Sequence, residues 1–368
     1  MEQSLNNFSY ELFIKLFQNS TKSTAFSPYS IYVALSMVLA IAKGQSRTEI
    51  LNVYHLDPEI ESEAFIKELT QLISQIERQS DENGGIINGA NSIWTEKDLA
   101  SSLPPDSFDV LSPLEAGVNS TSFPEPGVTD INQYVKERTR NLIPRLLQPT
   151  DCPKGTFYVL VNCLYFIDRW MNPFNKSATQ TQEFYGWNGI SNCQLMHIKK
   201  RYPYFEDDQF QMIQLPYKTT DCTMIIALPK DKNNNNFLTN TNLNPNYLLS
   251  QQYEFCEVNV FMPKFTARTK WDKLKDGLIQ TGITKIWTET CLPGGAYLSN
   301  AIQEAVVIVD EEKTEAAAAT AMITRKGCCL PPSPPKLFRA DHPFAYFIVH
   351  QPTNVILFMG VVTDPKTE

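Results

Sequence analysis

The sequence predicts an α+β protein in which helices and extensive antiparallel sheet share one unit. Three observations carry that prediction. Apolar residues recur at helical spacing early in the chain, strand-like apolar runs dominate from residue 157 onward, and no repeat or long linker divides the two parts. The first helical pattern is Phe8, Leu12, Leu16 and Phe17; a second is Phe65, Leu69, Leu72, Ile73 and Ile76. Between them, residues 31–42 form an apolar stretch that Ser30 is placed to cap as a helix. The strand-like runs are residues 157–167, 222–228, 258–262, 305–309, 344–349 and 355–362, and the last four have little helix between them. Residues 81–85, 123–127, 233–236 and 331–335 read as short surface loops, so a single domain over 1–368 is expected.

Composition limits the function. A chain of 368 residues that is 42% hydrophobic can bury a sizeable core. The formal charge is 32 − 40 = −8, which argues against a nucleic-acid surface. Lys199-Lys200-Arg201 and Arg325-Lys326 are short basic clusters of the kind that coat solvated faces or loops. Cys152, Cys163, Cys193, Cys222, Cys256, Cys291, Cys328 and Cys329 are too sparse for a disulfide scaffold, and no C-x-x-C spacing suggests a metal site. Residues 1–10 lack a basic stretch followed by an apolar run, and residues 31–42 are too short to span a bilayer. A soluble protein with reduced thiols is expected, cytoplasmic or secreted without a leader, with no membrane partner.

Catalytic signatures are missing. The histidines are His55, His197, His342 and His350, and no nucleophile elbow, zinc-protease motif, P-loop or dinucleotide fingerprint is present. Cys163 and His197 could form a nucleophile–base pair, but Cys163 lies in an apolar run where a thiol acts as a small hydrophobe. Glu206-Asp207-Asp208 reads as a turn between residues 202–205 and 210–215 rather than a cation site. No enzyme, cofactor or metal is expected.

One segment does carry a signal. Residues 310–322 read Asp-Glu-Glu-Lys-Thr-Glu-Ala-Ala-Ala-Ala-Thr-Ala-Met and follow the strand-like run 305–309. Alanine propensity favours a short helix here. As a strand, however, Thr314, Ala316, Ala318, Thr320 and Met322 would share one small, uncharged face, with Glu315 on the other. The segment contains no proline, so each residue could donate to a neighbouring ladder; prolines begin only at Pro331. A stretch built this way could enter a sheet between two existing strands.

The order Glu-Glu-x-Thr-Glu-Ala-Ala-Ala-Ala-Thr from Glu311 resembles the hinge of the inhibitory serpins. Further motifs resemble that family in sequence order. They are Phe26-Ser27-Pro28-Tyr29-Ser30-Ile31; Val159-Leu160-Val161-Asn162 with Trp170 and Phe174; Leu215-Pro216-Tyr217; Met262-Pro263-Lys264-Phe265; Phe338-Arg339-Ala340-Asp341-His342-Pro343-Phe344; and Leu357-Phe358-Met359-Gly360. The resemblance runs from about Phe8 to Pro365. It implies three β-sheets, about nine helices and an exposed reactive-centre loop at about 311–337. It also implies a mechanism: a protease cleaves the loop, and the freed hinge enters the main sheet while the acyl-enzyme is trapped.

Residue by residue, the resemblance makes Glu311, Thr314, Glu315, Ala316, Ala317, Ala318 and Ala319 the hinge. Trp170 and Lys264 would sit at the breach, with Lys264 pairing Glu311. Ser27, Ser30, Asn162 and Gln303 would form the shutter, Gln303 standing where the family usually has histidine. Two further departures are Lys313 in place of the usual glycine before the hinge threonine and Cys163 after the shutter asparagine. Counting the usual hinge length from Glu311 reaches Gly327, whereas counting back from Pro343 reaches Pro332, so the loop is about five residues longer than usual. The scissile region is then Arg325, Lys326, Gly327 and Cys328, with cleavage expected after Lys326. Either basic residue suits a trypsin-like serine protease with an acidic specificity pocket. A papain-like cysteine protease is an alternative target, and a non-inhibitory carrier or chaperone an alternative role. Residues 65–78 hold few basic residues, so no heparin-type site is expected; the protein is expected to be a monomer.

Overall fold

The structure is a computed structural model and describes residues 1–17, 22–77, 85–114, 117–232, 234, 237, 243–312 and 334–366. The chain begins with α1 (Glu2–Phe17), β1 (Thr24–Phe26), α2 (Pro28–Ile41), α3 (Gly44–Val53) and α4 (Ser62–Ile76). Strands β2 (Ile86–Gly89) and β3 (Ser92–Glu96) are followed by α5 (Lys97–Ser102), a 3₁₀ turn at Asp109–Leu114, β4 (Gly117–Thr121) and α6 (Gly127–Arg138). Next come β5 (Tyr158–Ile167), β6 (Gln180–Gly186), β7 (Gly189–Glu206), β8 (Phe210–Pro216) and β9 (Cys222–Pro229). After α7 (Pro245–Ser250) follow β10 (Glu254–Pro263), β11 (Phe265–Lys270), α8 (Leu274–Gln280) and β12 (Leu298–Val309). The chain closes with β13 (Lys336–Arg339), β14 (Phe344–His350) and β15 (Val355–Val362).

The strands form a nine-stranded network ordered β1-β15-β14-β9-β8-β7-β10-β13, with β6 beside β7, and a six-stranded sheet ordered β11-β12-β5-β3-β4, with β2 beside β5. Strand β7 is long enough to pair with three other strands, β6, β8 and β10. Its residues 195–204 pair with β10, and its last residues, Tyr204 to Glu206, pair with β8. By hydrogen bonding the described residues thus form two networks, of nine and six strands, where three sheets were expected.

Helix α2 is the hub, and its sequence explains why. Every residue from Pro28 to Ile41 is buried, as expected for a helix apolar on all sides. It packs against β5 on one side and β15 on the other, bridging the two networks. The cap is Ser27 rather than Ser30. Ser27 is extended at φ −111°, its hydroxyl accepts from the Ser30 N–H at 3.4 Å, and Pro28 takes the first helical position. Ser30 lies one turn inside, which frees its hydroxyl for another task. Strands β9, β14 and β15 are buried along their whole length, so they show continuous apolar runs instead of alternation. Gly360 lies where β1 crosses β15; a Cβ there would come within 2.0 Å of the Thr24 carbonyl oxygen.

Candidate functional site: a forked strand pair

The six-stranded sheet contains one feature that sheets ordinarily avoid. Strands β5 and β12 are parallel neighbours, paired from Tyr158 with Leu298 to Cys163 with Glu304. Beyond Cys163 and Glu304 no ladder between the two is found among the described residues. Each strand nevertheless continues: Leu164–Ile167 of β5 pairs with β2 on its far edge, and Ala305–Val309 of β12 pairs with β11 on its own far edge. Two strand edges therefore face each other unzipped, although bare backbone edges normally find partners. The crevice between them is lined by Phe166, Trp170, Tyr217 and residues 306–310.

The chain leaves β12 at the mouth of this fork. Trp170 Nε1 donates to the Asp310 carbonyl at 2.9 Å, and the Phe174 N–H donates to the Glu311 carbonyl at 2.9 Å. Trp170 is fixed by stacking on Tyr217, with ring centroids 4.6 Å apart. Glu311 is only 4% exposed. Its carboxylate takes a charge-assisted bond from Lys264 Nζ at 2.7 Å and another bond from Thr179 Oγ1 at 2.8 Å. Burial alone would raise the Glu311 carboxyl, but the Lys264 and Thr179 bonds and its own backbone N–H outweigh it and hold it below the usual carboxylate range.

At the point where the fork closes, buried amides and hydroxyls cross-link the strands. Gln303 of β12 donates through Nε2 to Asn162 Oδ1 on β5 at 2.6 Å and to the Ser27 carbonyl at 2.8 Å. Its Oε1 accepts from the Ser27 N–H at 3.2 Å. Asn162 Nδ2 donates to Asn91 Oδ1 at 3.2 Å, and Ser30 Oγ donates to the same oxygen at 3.0 Å. Ser27 Oγ completes the chain by donating to the Leu357 carbonyl at 2.9 Å. Because these groups are buried, each depends on its partner. Cys163 forms the last paired rung with Glu304; burial pushes its thiol up to about 12, which makes it inert. His197 lies on β7 in the other network, so the structure does not bring the two together.

The described chain resumes at residue 334 and enters β13, which pairs parallel with β10 and is pinned just beyond it. Asp341 accepts from Lys232 Nζ at 2.8 Å and Arg339 Nε at 3.2 Å, and lies 2.8 Å from His342 Nδ1. Although burial opposes it, the His342 and Lys232 contacts draw the Asp341 carboxyl down to about 2. The remaining sequence-predicted residues, Thr314, Glu315, Ala316, Ala317, Ala318, Ala319, Arg325, Lys326, Gly327 and Cys328, lie outside the described residues. Sequence reasoning missed Asn91 and Thr179. Asn91 carried a faint signal, a buried-type polar residue interrupting the β-rich run 86–94. Thr179 carried none.

The structure is a mixed α+β fold in which β5 and β12 of the six-stranded sheet stop pairing beyond Cys163 and Glu304, close to where the chain leaves β12. The chain belongs to the serpin family: the family model described as serpin (serine protease inhibitor) matches residues 3–365. Leukocyte elastase inhibitor of Homo sapiens is 30% identical over 382 residues, covering 97% of this chain and 97% of that protein. An uncharacterised serpin-like protein of Thermococcus kodakarensis is 29% identical, covering 99% of this chain and 85% of that one. Among solved structures, native protease nexin-1 with heparin superposes with a TM-score of 0.85 at 24% identity, covering 99% of each chain. The thermophilic serpin tengpin in its native state gives 0.82 at 22% identity, covering 98% of this chain and 93% of that one. Both speak to the fold alone. Serpins are, as a family, protease inhibitors. Among the described residues no helix is long and apolar enough to cross a membrane.

Proposed function

We propose that residues 1–368 form a single serpin domain that inhibits a protease by offering residues 311–337 as bait. In this reading the target, a trypsin-like serine protease, cuts after Lys326, with Arg325, Gly327 and Cys328 as neighbours. The released segment 314–322 then enters the fork antiparallel to both β5 and β12 and carries the acyl-enzyme with it. The observation that supports this best is the open edge pair, Leu164–Ile167 against Ala305–Val309, at the place where the chain leaves β12. A chain turning back at Asp310 runs antiparallel to both walls, which suits it to bond with each.

The energy follows from counting bonds. Opening the paired half of β5 and β12 breaks one ladder, but the entering strand makes two. The net gain is about one bond per inserted residue, at ~0.5–1.5 kcal/mol each, so about ten residues supply on the order of 10 kcal/mol. The small face of Thr314, Ala316 and Ala318 lets this happen without burying a charge. The relatives named as leukocyte elastase inhibitors concern that protease; the basic pair Arg325-Lys326 favours a different, basic-specific one here.

Incubation with a panel of trypsin-like proteases tests the reading. A covalent complex that survives boiling in detergent, with a released fragment beginning at Gly327, is expected. Clean cleavage with no complex, across both the serine and the papain-like cysteine proteases, would overturn it in favour of a non-inhibitory role.

A further inference from the structure

We propose that Asp168 is a positioning residue that keeps the β5–β12 fork open, by tying the end of β5 to the turn joining β8 to β9. A bare strand edge ordinarily pairs with the edge opposite it. The upper halves of β5 and β12 face each other and stay apart, so each needs something to hold it outward. On the β12 side stand the Lys264–Glu311 pair and the bond from Trp170 to the Asp310 carbonyl. Asp168 supplies the anchor on the β5 side.

Asp168 follows β5 directly and is 4% exposed. Its Oδ1 accepts from the Arg169 N–H at 2.7 Å and from Thr219 Oγ1 at 2.8 Å. Its Oδ2 accepts from the Thr219 N–H at 3.0 Å, the Thr220 N–H at 2.8 Å and Thr220 Oγ1 at 2.8 Å. Five donors converge on one buried carboxylate, and four of them come from a turn in the other strand network. Hydrogen bonds to a charged acceptor are the strong kind, and a buried group depends on having them. The neighbouring backbone is bound to the same turn. Lys218 N–H donates to the Arg169 carbonyl at 2.8 Å, and Met171 N–H donates to the Pro216 carbonyl at 2.9 Å. The chain leaving β5 therefore runs across to residues 216–220 instead of along β12.

Gly85 closes the knot from a third side. Its N–H donates to Thr219 Oγ1 at 2.5 Å, and a Cβ there would come within 2.3 Å of Thr220 Cγ2 and 2.7 Å of Asp168 Cγ. Gly85 immediately precedes β2, whose Ile86 pairs with Ile167 at the end of β5. Asp168 thus fastens both strands of that wall to a body outside the sheet. Without the anchor, Leu164–Ile167 is free to swing toward Ala305–Val309 and pair with it. An entering strand would then have to break that ladder first.

The consequence for inhibition rests on the proposed loop insertion, whereas the geometry of the intact fork does not. A cleaved loop that enters slowly gives water time to attack the acyl carbon joining it to the protease. That ester then hydrolyses, freeing the protease and a loop that ends in a carboxylate. The anchor should therefore govern how much protease is trapped and how much escapes.

Three variants of the full chain test this. Asp168→Asn keeps the shape but turns one acceptor oxygen into an amide N–H₂ that confronts donors. The double variant Thr219→Val, Thr220→Val removes two hydroxyl donors, leaves the carboxylate in place, and carries the same comparison if Asp168→Asn fails to fold. Leu248→Ala, a buried truncation in α7 where it packs on α1, destabilises the molecule away from the fork. Hydrogen exchange of intact protein should show the fork-facing amides of Leu164–Ile167 slowed about tenfold or more in Asp168→Asn as they pair across. The double variant should slow them less, and Leu248→Ala not at all. With a trypsin-like protease, both anchor variants should consume more inhibitor per protease trapped at an unchanged rate of loop cleavage, while Leu248→Ala matches wild type. Fork amides that exchange as fast as wild type or faster in both anchor variants, or a partition moved equally by Leu248→Ala, would overturn the proposal. Should wild type trap no protease at all, the inhibitory reading falls, and the exchange comparison still decides whether Asp168 holds the fork open.

Discussion

The two halves of the β5–β12 pair are built from similar apolar strands yet behave differently. In the lower half, Tyr158 to Cys163 is zipped to Leu298 to Glu304; in the upper half, Leu164–Ile167 and Ala305–Val309 turn away to partners on their outer edges. The dividing line is the buried chain of Ser27, Gln303, Asn162, Asn91 and Ser30. Apolar packing would close such a pair throughout. A polar cross-link lies at one rung near the boundary, and an ion pair stands at the mouth. The contrast suggests that the lower half serves as a latch and the upper half as a receiving slot.

The largest effect is expected from denying the slot its strand. Ala318→Arg places a charge on the face that would have to be buried, and the expected outcome is complete loss of detergent-stable complex while cleavage after Lys326 continues. Unchanged complex formation would show that residue 318 never enters the sheet.

Next is the latch. Gln303→Leu keeps volume but strands Asn162 Oδ1 and both backbone groups of Ser27 in the interior. A cost of about 2–3 kcal/mol is expected. At roughly 2.1 cal/mol/K per residue, the 368-residue chain should melt about 3–4 °C lower, and on storage it should convert to an inactive form faster than wild type.

The mouth should be worth less. Glu311→Gln removes the ion pair with Lys264, which is itself partly exposed, and should lower the stability of the intact form by about 1–2 kcal/mol. The pH dependence follows from the direction of the shift. The Glu311 carboxyl is held below its usual value near 4.5, so its contribution is complete above that value and is lost as the pH falls through the lower folded-state value. Wild type and Glu311→Gln should therefore differ in melting temperature at pH 7 and converge in acid. None of the latch side chains titrates between about pH 5 and 8, so the Gln303→Leu deficit should be constant over that range.

The smallest change expected comes from Lys313→Gly. Restoring backbone freedom just before Thr314 should speed insertion a few-fold and lower the amount of inhibitor consumed per protease, leaving the melting temperature of the intact form within about 1 °C.

Much of this was legible in the sequence. The α+β mixture followed from periodicity, whereas the hinge read from the small-residue alternation at 314–319 lies outside the described residues. The family motifs carried Lys264, Glu311, Asn162 and Gln303 to places where the structure sets them in contact across distant strands. Other features were not legible. The cap at Ser27 was displaced to Ser30, because a helix buried on all sides has no polar face to mark its start. Asn91 and Thr179 act through tertiary contacts, at separations of 71 and 132 residues, that periodicity does not report. The fork itself is a property of pairing. Residues 164–167 and 305–309 read as ordinary strands, and nothing in them announces that their facing edges stay apart.

Hydrogen exchange at Leu164–Ile167 and Ala305–Val309, followed in intact protein and again after the loop is nicked at Lys326, tests the unfilled slot most directly. The amides facing the fork should exchange readily in the intact form, and far faster than those of the zipped half. Nicking should slow them by orders of magnitude as a new strand covers both edges. Upper-half amides already as protected as the lower half in intact protein, or unchanged by the nick, would mean that the sheet has no place for another strand.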